Sequence, residues 1–297
     1  TLLFIWFIPT FASLVRLISP KGDEIHVISR QIANAHTIFN LVNTIIWLPL
    51  IWLMAKIVIK LVPGEDDSIE RRVLYLDNRM LSKATVAMNL ATQELARMAE
   101  MCKTMMASAR QAFVSSNMDE AKKVTEIEET IDMLQSEIIK YLSAIISKGA
   151  LTERQSVRLA GLMHVVNDIE RIGDHCENIA EFAQWKSEDN LPFSQEAIEE
   201  IKDAFSVLNN MVDDSIHALR DGNIELARKV LSEEYEVDKL EEGLRSRHLK
   251  RLNEGLCDPQ AGVLFIELIH NLERIGDHCN NIAEAVLSDY NVKVETE

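Results

Sequence analysis

Residues 167–181 read NDIERIGDHCENIAE, and residues 270–284 read HNLERIGDHCNNIAE. The two stretches agree at 11 of 15 positions and lie 103 residues apart. Upstream of each, VTEIEETID (124–132) aligns with VLSEEYEVD (230–238) at an offset of 106. Matched pairs in the same order point to an internal duplication of about one hundred residues. A duplicated sequence puts the same side chains at two related places in space.

The chain around these matches is helical by its periodicity. From residue 68 onward long stretches lack Pro and place apolar residues three and four apart. In LATQELARMAEMCKTMMASARQAF, residues Leu90, Leu95, Met98, Met101, Cys102, Met105 and Met106 form one broad stripe. Punctuation marks the helix ends: Asn117; Gly149, followed by Thr152 and Gln155 at capping-box spacing; Pro192 and Ser194; Asp221-Gly222-Asn223; and Asp258-Pro259. The reading is six helices, near 68–116, 118–148, 152–187, 194–220, 223–254 and 259–289, in two sets of three. Each set is expected to form an antiparallel three-helix bundle, the first over 81–190 and the second over 191–297. Residues 64–80 are expected to be a linker and the start of the first helix. The fold class expected is therefore all-α.

Composition agrees. Hydrophobic residues make up 47% of the 297, with ten Gly and six Pro, which excludes a disordered or collagen-like chain. Aromatics at 6% disfavour an all-β chain. Four cysteines are no disulfide framework. A net charge of −16 argues against a nucleic-acid partner, because neutralising phosphates needs a Lys/Arg excess. The charge is unevenly spread. Residues 1–63 hold five basic and two acidic residues, whereas residues 64–297 hold 26 basic and 45 acidic.

The basic segment reads as membrane-like. Residues 31–55 contain no Asp, Glu, Lys or Arg, and as a helix they would exceed the roughly 30 Å hydrocarbon core. Residues 1–18 read as the tail of a truncated membrane helix, and 1–63 as the end of a membrane domain with one further transmembrane helix. Asn34, His36, Asn40, Asn43 and Thr44 interrupt the apolar run. Such groups in lipid serve either interhelical hydrogen bonding or the lining of a transport path, so Asn34, Asn40 and Asn43 are candidates for that path. The Lys/Arg count around the span leans by one charge toward a cytoplasmic C-terminal side.

What is duplicated is acidic. Glu128 with Asp132, Glu170 with Asp174, Glu234 with Asp238 and Glu273 with Asp277 each stand four apart. Residues i and i+4 share a helix face, where two carboxylates repel. A solvated acidic face is the ordinary explanation of one such pair. The same spacing on two helices, repeated in the second unit, favours a cation site. Four carboxylates in one patch need a compensating cation or must take up protons. Oxygen donors suit divalent or iron ions, without fixing which. Gly173 and Gly276 precede the second Asp of their motifs, and a mid-helix Gly implies close backbone approach. Arg171 and Arg274 are candidates for salt bridges or for holding an anion. His175, Asn178, His278 and Asn281 are candidates to stand behind the ligands or to pack structurally. Cys176 and Cys279 lack CxxC spacing and read as packing residues. Glu267 and His270 fit the Glu-x-x-His of a di-iron bundle, but the first repeat has no such pair, reading Gly161-Leu-Met-His164 in that stretch, which argues against an oxidase. No HExxH, Walker A or GxGxxG stretch is present, and nothing argues for an enzyme.

With ERIGDHC in both halves and an ExxxD pair upstream of each, residues 70–290 resemble the PhoU family of phosphate-signalling proteins. That resemblance implies two tandem three-helix bundles whose E(D)xxxD motifs hold multinuclear metal clusters. It implies metal roles for Glu128, Asp132, Glu170, Asp174, Glu234, Asp238, Glu273 and Asp277. ANAHTIFNLVNTIIWLPL is similar to the end of the transporter domain of bacterial sodium-dependent phosphate cotransporters, whose Gln-Ser-Ser-rich transport motifs would lie upstream of Thr1. The resemblance implies a multi-pass protein of the cell inner membrane with its C-terminal domain in the cytoplasm. Sodium and phosphate would be handled by the upstream domain. The metal-binding domain would regulate transport through intramolecular docking or as a homo-oligomer. The rival expectations are a metal-free helical scaffold and a di-iron oxidase.

Overall fold

The helices begin where side chains cap them. Asn117 Oδ1 accepts from the Asp119 amide at the start of Met118–Ser147, and Thr152 with Gln155 closes a capping box at the start of Glu153–Glu188. Ser194 Oγ accepts from the Ala197 amide ahead of Gln195–Asp221, and Asn223 Oδ1 accepts two amides ahead of Ile224–Asn253. Each such cap satisfies amides that the helix leaves without partners. The computed structural model describes residues 8–20, 22, 24–61 and 70–289. Its helices are α1 Ile8–Ile18, α2 Glu24–Leu61, α3 Ala84–Ser115, α4 Met118–Ser147, α5 Glu153–Glu188, α6 Gln195–Asp221, α7 Ile224–Asn253 and α8 Pro259–Asp289.

The chain divides into two units, Thr1–Ser68 and Ile69–Glu297. In the first, α1 packs on α2, and Asn34 Nδ2 donates to Ser19 Oγ at 3.0 Å. Ser19 follows the last residue of α1, so the bond ties α2 to the end of that helix. Asn40 is exposed and Asn43 half-buried. Among the described residues, no helix is long and apolar enough to cross a membrane. The expected transmembrane segment is corrected accordingly. α2 has the length at 38 residues, but Arg30, Asn34, His36, Asn40 and Asn43 punctuate the apolar residues of its first half. Residues 1–7 of the expected truncated helix lie outside the described residues.

In the second unit α3, α4 and α5 form one bundle and α6, α7 and α8 another. The bundles join through α5 against α8 and α3 against α6. The core is one continuous cluster. Leu95, Met98, Cys102, Met105 and Met106 of the α3 stripe are all buried in it, and Leu90 and Met101 half-buried. α3 starts sixteen residues later than its periodicity indicates. The cause is tertiary: Glu94, fully buried, accepts the amides of Leu74 at 2.8 Å and Tyr75 at 2.7 Å. Arg97 bonds the same carboxylate at 2.7 Å and the Arg72 carbonyl at 2.8 Å. Residues 70–76 are held as a non-helical strap, and Asn78–Met80 forms a 3-10 turn capped by Asp77.

Candidate metal centres

α4 and α5 approach each other where Gly173 has no side chain. A Cβ there would stand 3.5 Å from Ile131 Cδ1. On α8, a Cβ at Gly276 would stand 3.2 Å from Val237 Cγ1 of α7, tighter than ordinary contact. Ile131 and Val237 each precede an acidic residue of the motifs, Asp132 and Asp238. Gly276 therefore lets α7 and α8 draw their acids together, whereas at Gly173 a methyl group would also find room.

In the first bundle the common neighbour is Asp132. Its charge, with burial as the larger cause, raises the carboxyls of Glu128, Glu170, Asp174 and Glu177 above their usual range. Glu128 is pushed up to about 7, by burial first, then by Asp132 and Glu177. In the second bundle Glu234, Asp238 and Asp277 each present one oxygen, and the three lie within 4.8 Å of one another. Burial and then Asp277 raise Asp238 and Glu273, while burial and then Asp238 raise Glu234. Glu273 Oε2 is buried without a hydrogen-bond donor, although His270 Nδ1 at 3.5 Å and Arg274 Nε at 3.7 Å are near. All eight acids of the ExxxD pairs thus fall into two patches, one per bundle, and the second patch is the tighter.

Each patch has acids outside the motif. Glu177 belongs to the first, three residues beyond Asp174 on the same face. Its repeat counterpart is Asn280, so comparison of the halves passes over it. Glu241 and Glu242 join Asp238, Arg245, His270 and Glu273 around an open cavity of about 270 Å³ beside the second patch. The i+3 and i+4 spacing from Asp238 was the available signal for both.

The arginines mirror each other. Arg171 Nη1 reaches Asp174 Oδ2 at 3.3 Å, and Arg274 Nη1 reaches Asp277 Oδ2 at 3.2 Å. Both are exposed ion pairs, the first of the two roles open to them. His175, Asn178, His278 and Asn281 face the other bundle. His175 Nδ1 and Asn178 Nδ2 both bond Asn271 Oδ1, at 2.8 and 3.1 Å. His278 Nδ1 and Asn281 Nδ2 both bond Asp168 Oδ1 at 2.9 Å. The two imidazoles stack, with centroids 5.6 Å apart. Cys176 and Cys279 are buried, and burial pushes the Cys279 thiol up to about 12.

The residues fit a hard or borderline cation. The donors are carboxylate oxygens, three of them already converge, and a buried carboxylate oxygen lacks a donor.

Residues 95–183 and 201–286 match the PhoU domain, and the chain belongs to that family. It is 28% identical over 200 residues to the phosphate-specific transport system accessory protein PhoU homolog 1 of Thermotoga maritima, covering 67% of this chain and 85% of that one. The corresponding protein of Clostridium acetobutylicum is 24% identical, over 65% and 88% of the two chains. The putative inorganic phosphate export protein YjbB of Escherichia coli K12 is 22% identical over 85% of this chain, which spans 47% of that protein. The crystal structure of PhoU from Pseudomonas aeruginosa superposes with a TM-score of 0.63 at 24% identity, covering 68% of this chain and 95% of that one. PhoU from Streptococcus pneumoniae superposes at 0.64 with 17% identity, covering 72% and 100%; both likenesses establish the fold.

The chain is thus a two-repeat member of the PhoU family, and its Thermotoga and Clostridium relatives are named as accessory proteins of phosphate-specific transport. The expected multi-pass inner-membrane localisation is corrected: the relatives that match most of their own length are transport accessory proteins, and no described helix has the character of a span. A sodium-dependent cotransporter is not shown by these matches.

Proposed function

We propose that the two carboxylate patches each hold divalent or iron ions and that the loaded domain regulates phosphate transport. The observation that carries this is the convergence of Glu234, Asp238 and Asp277 within 4.8 Å, built by the same motif that is repeated in the first bundle. Like charges held this close, part-buried, are stable only with protons or a cation among them. In the loaded protein Glu128, Asp132, Glu170 and Asp174 hold the first site, with Glu177 beside them; Glu234, Asp238, Glu273 and Asp277 hold the second. The match to a phosphate export protein and to accessory proteins of phosphate-specific transport supports phosphate as the regulated anion. Regulation would pass through helix-packing contacts with the transport machinery or between copies of the chain.

The test is replacement of Glu170, Asp174, Glu273 and Asp277 by Ala, with elemental analysis and circular dichroism of the purified protein. Loss of bound metal with helicity retained is the expected result. Metal content unchanged by the substitutions, or absent from the unaltered protein, rejects the metal reading and leaves a metal-free helical scaffold. An oxidase has no support, because His164 and Asn167 stand where the second Glu-x-x-His would fall. Sodium-driven phosphate uptake by cells carrying the full-length gene tests whether the regulated transport is sodium-coupled.

A further inference from the structure

α5 carries two polar stripes. Glu170, Asp174 and Glu177 face α4, while Asp168, His175 and Asn178 face the other bundle, about 100° round the helix. α8 repeats the arrangement with Glu273 and Asp277 on one side and Asn271, His278 and Asn281 on the other. The second stripes meet and cross. Asp168 on α5 holds His278 and Asn281 of α8, and Asn271 on α8 holds His175 and Asn178 of α5. Asn271 is fixed in turn, 7% exposed, with its Nδ2 donating to the Glu267 carbonyl at 2.8 Å. Each clasped histidine directly follows a candidate ligand, Asp174 or Asp277.

From this crossed arrangement we propose that Asp168 and Asn271 are positioning residues that couple the two carboxylate centres, so that cation binding in one bundle strengthens binding in the other. The proposal rests on the metal reading above. The physical route is short. A cation drawing Glu170 and Asp174 toward α4 fixes the rotation of α5 about its axis. The clasp transmits that rotation to α8, because His175 and Asn178 are bonded to Asn271, and Asp168 to His278. The second centre then has less freedom to lose when it fills, which appears as positive coupling. The two clasps share geometry but not charge. Asp168 and Asn271 are repeat equivalents, and both serve as oxygen acceptors, so the acceptor and not its charge carries the link.

The experiment is titration calorimetry of the full chain with Mn²⁺. Glu128→Gln with Asp132→Asn disables the first centre, and Glu234→Gln with Asp238→Asn disables the second, without touching either clasp. With the clasps intact, disabling one centre is expected to weaken the other at least about fivefold, the lower end of ordinary allosteric coupling. With Asp168→Ala and Asn271→Ala present, each centre should bind equally well whether or not the other is disabled. Asp168→Asn keeps the acceptor and should keep the coupling. Should the double Ala chain fail to fold, each single Ala variant removes one clasp and should reduce the coupling. Coupling unchanged by loss of the clasps, or centres that are independent in the unaltered chain, overturns the proposal. No Mn²⁺ binding by the unaltered chain overturns the metal reading, and the coupling with it.

Discussion

Gly276 on α8 and Val237 on α7 meet so closely that a Cβ on residue 276 would lie 3.2 Å from Val237 Cγ1. The equivalent approach in the first bundle, Gly173 to Ile131, leaves 3.5 Å, an ordinary van der Waals distance. The two repeats therefore answer the same substitution differently. Gly173→Ala should be neutral or stabilising by up to about 1 kcal/mol, because Ala is the better helix former and fits. Gly276→Ala must displace the buried Val237 Cγ1 and should cost about 1–3 kcal/mol as overpacking. It should also weaken the second centre, since Asp238 follows Val237. Urea denaturation of the two variants gives the comparison, and equal midpoints would refute it.

Metal loading should be visible as stability. A cation that binds only the folded chain raises it by about 2.7 kcal/mol at a concentration one hundred times its dissociation constant. Mn²⁺ should raise the melting temperature of the unaltered chain. Asp238→Asn with Asp277→Asn should remove the share contributed by the second centre, because two of its three convergent oxygens lose their charge. A shift of undiminished size in that variant would place the cation elsewhere.

The contribution of Glu128 to the stability of the metal-free protein should fall as pH rises from about 4.5 to 7. Glu128 holds its proton to about 7 when folded, against an ordinary 4.5. Over that window the folded chain binds more protons at Glu128 than the unfolded one, so stability present in acid is lost as Glu128 ionises. Glu170, Asp174 and Glu273 act in the same direction. Mn²⁺ should flatten the slope by favouring the ionised carboxylates. The check is the urea midpoint at pH 5 and pH 8, with and without Mn²⁺. Because burial depresses His175 and His248 and these act in the opposite direction, the slope is compared with that of Glu128→Gln, and a metal-free slope unchanged by that substitution contradicts the prediction.

Glu94 should matter out of proportion to its place in a helix stripe. Its buried carboxylate accepts two strap amides and the Arg97 guanidinium. Glu94→Ala strands those donors and should cost about 1–3 kcal/mol. Hydrogen exchange should accelerate at the Leu74 and Tyr75 amides, while the α4 amides stay protected. Unchanged exchange at 74 and 75 would show that the strap is held by other contacts.

Much of the architecture was legible because it is written in local terms. Caps at Asn117, Thr152, Ser194 and Asn223 and the 3.6-residue stripes need only neighbours in sequence, and five of the six expected helices start within one residue of their places. The first helix start was misplaced because Glu94 and Arg97 bind a segment some twenty residues away, and periodicity holds no record of that. The ExxxD acids could be grouped because duplication marked them. Glu177 escaped because only one repeat keeps it. His175 and Asn178 were grouped with the acids by proximity in sequence, although one residue along a helix is a turn of about 100°. A separate face for positions 168, 175 and 178 was readable from their spacing of seven and three.

The crossed fastening of Asp168 and Asn271 also bears on how the two halves can change. A copy made by duplication ordinarily drifts on its own, held only by its own core. Here the imidazole of each half depends on an oxygen supplied by its sibling. A substitution at 168 is therefore felt at 278 and 281, and one at 271 at 175 and 178. Neither half can be cut away, or replaced by a stranger, without stripping the other of its partner. The ancestral repeat has become a pair whose members are inherited as one.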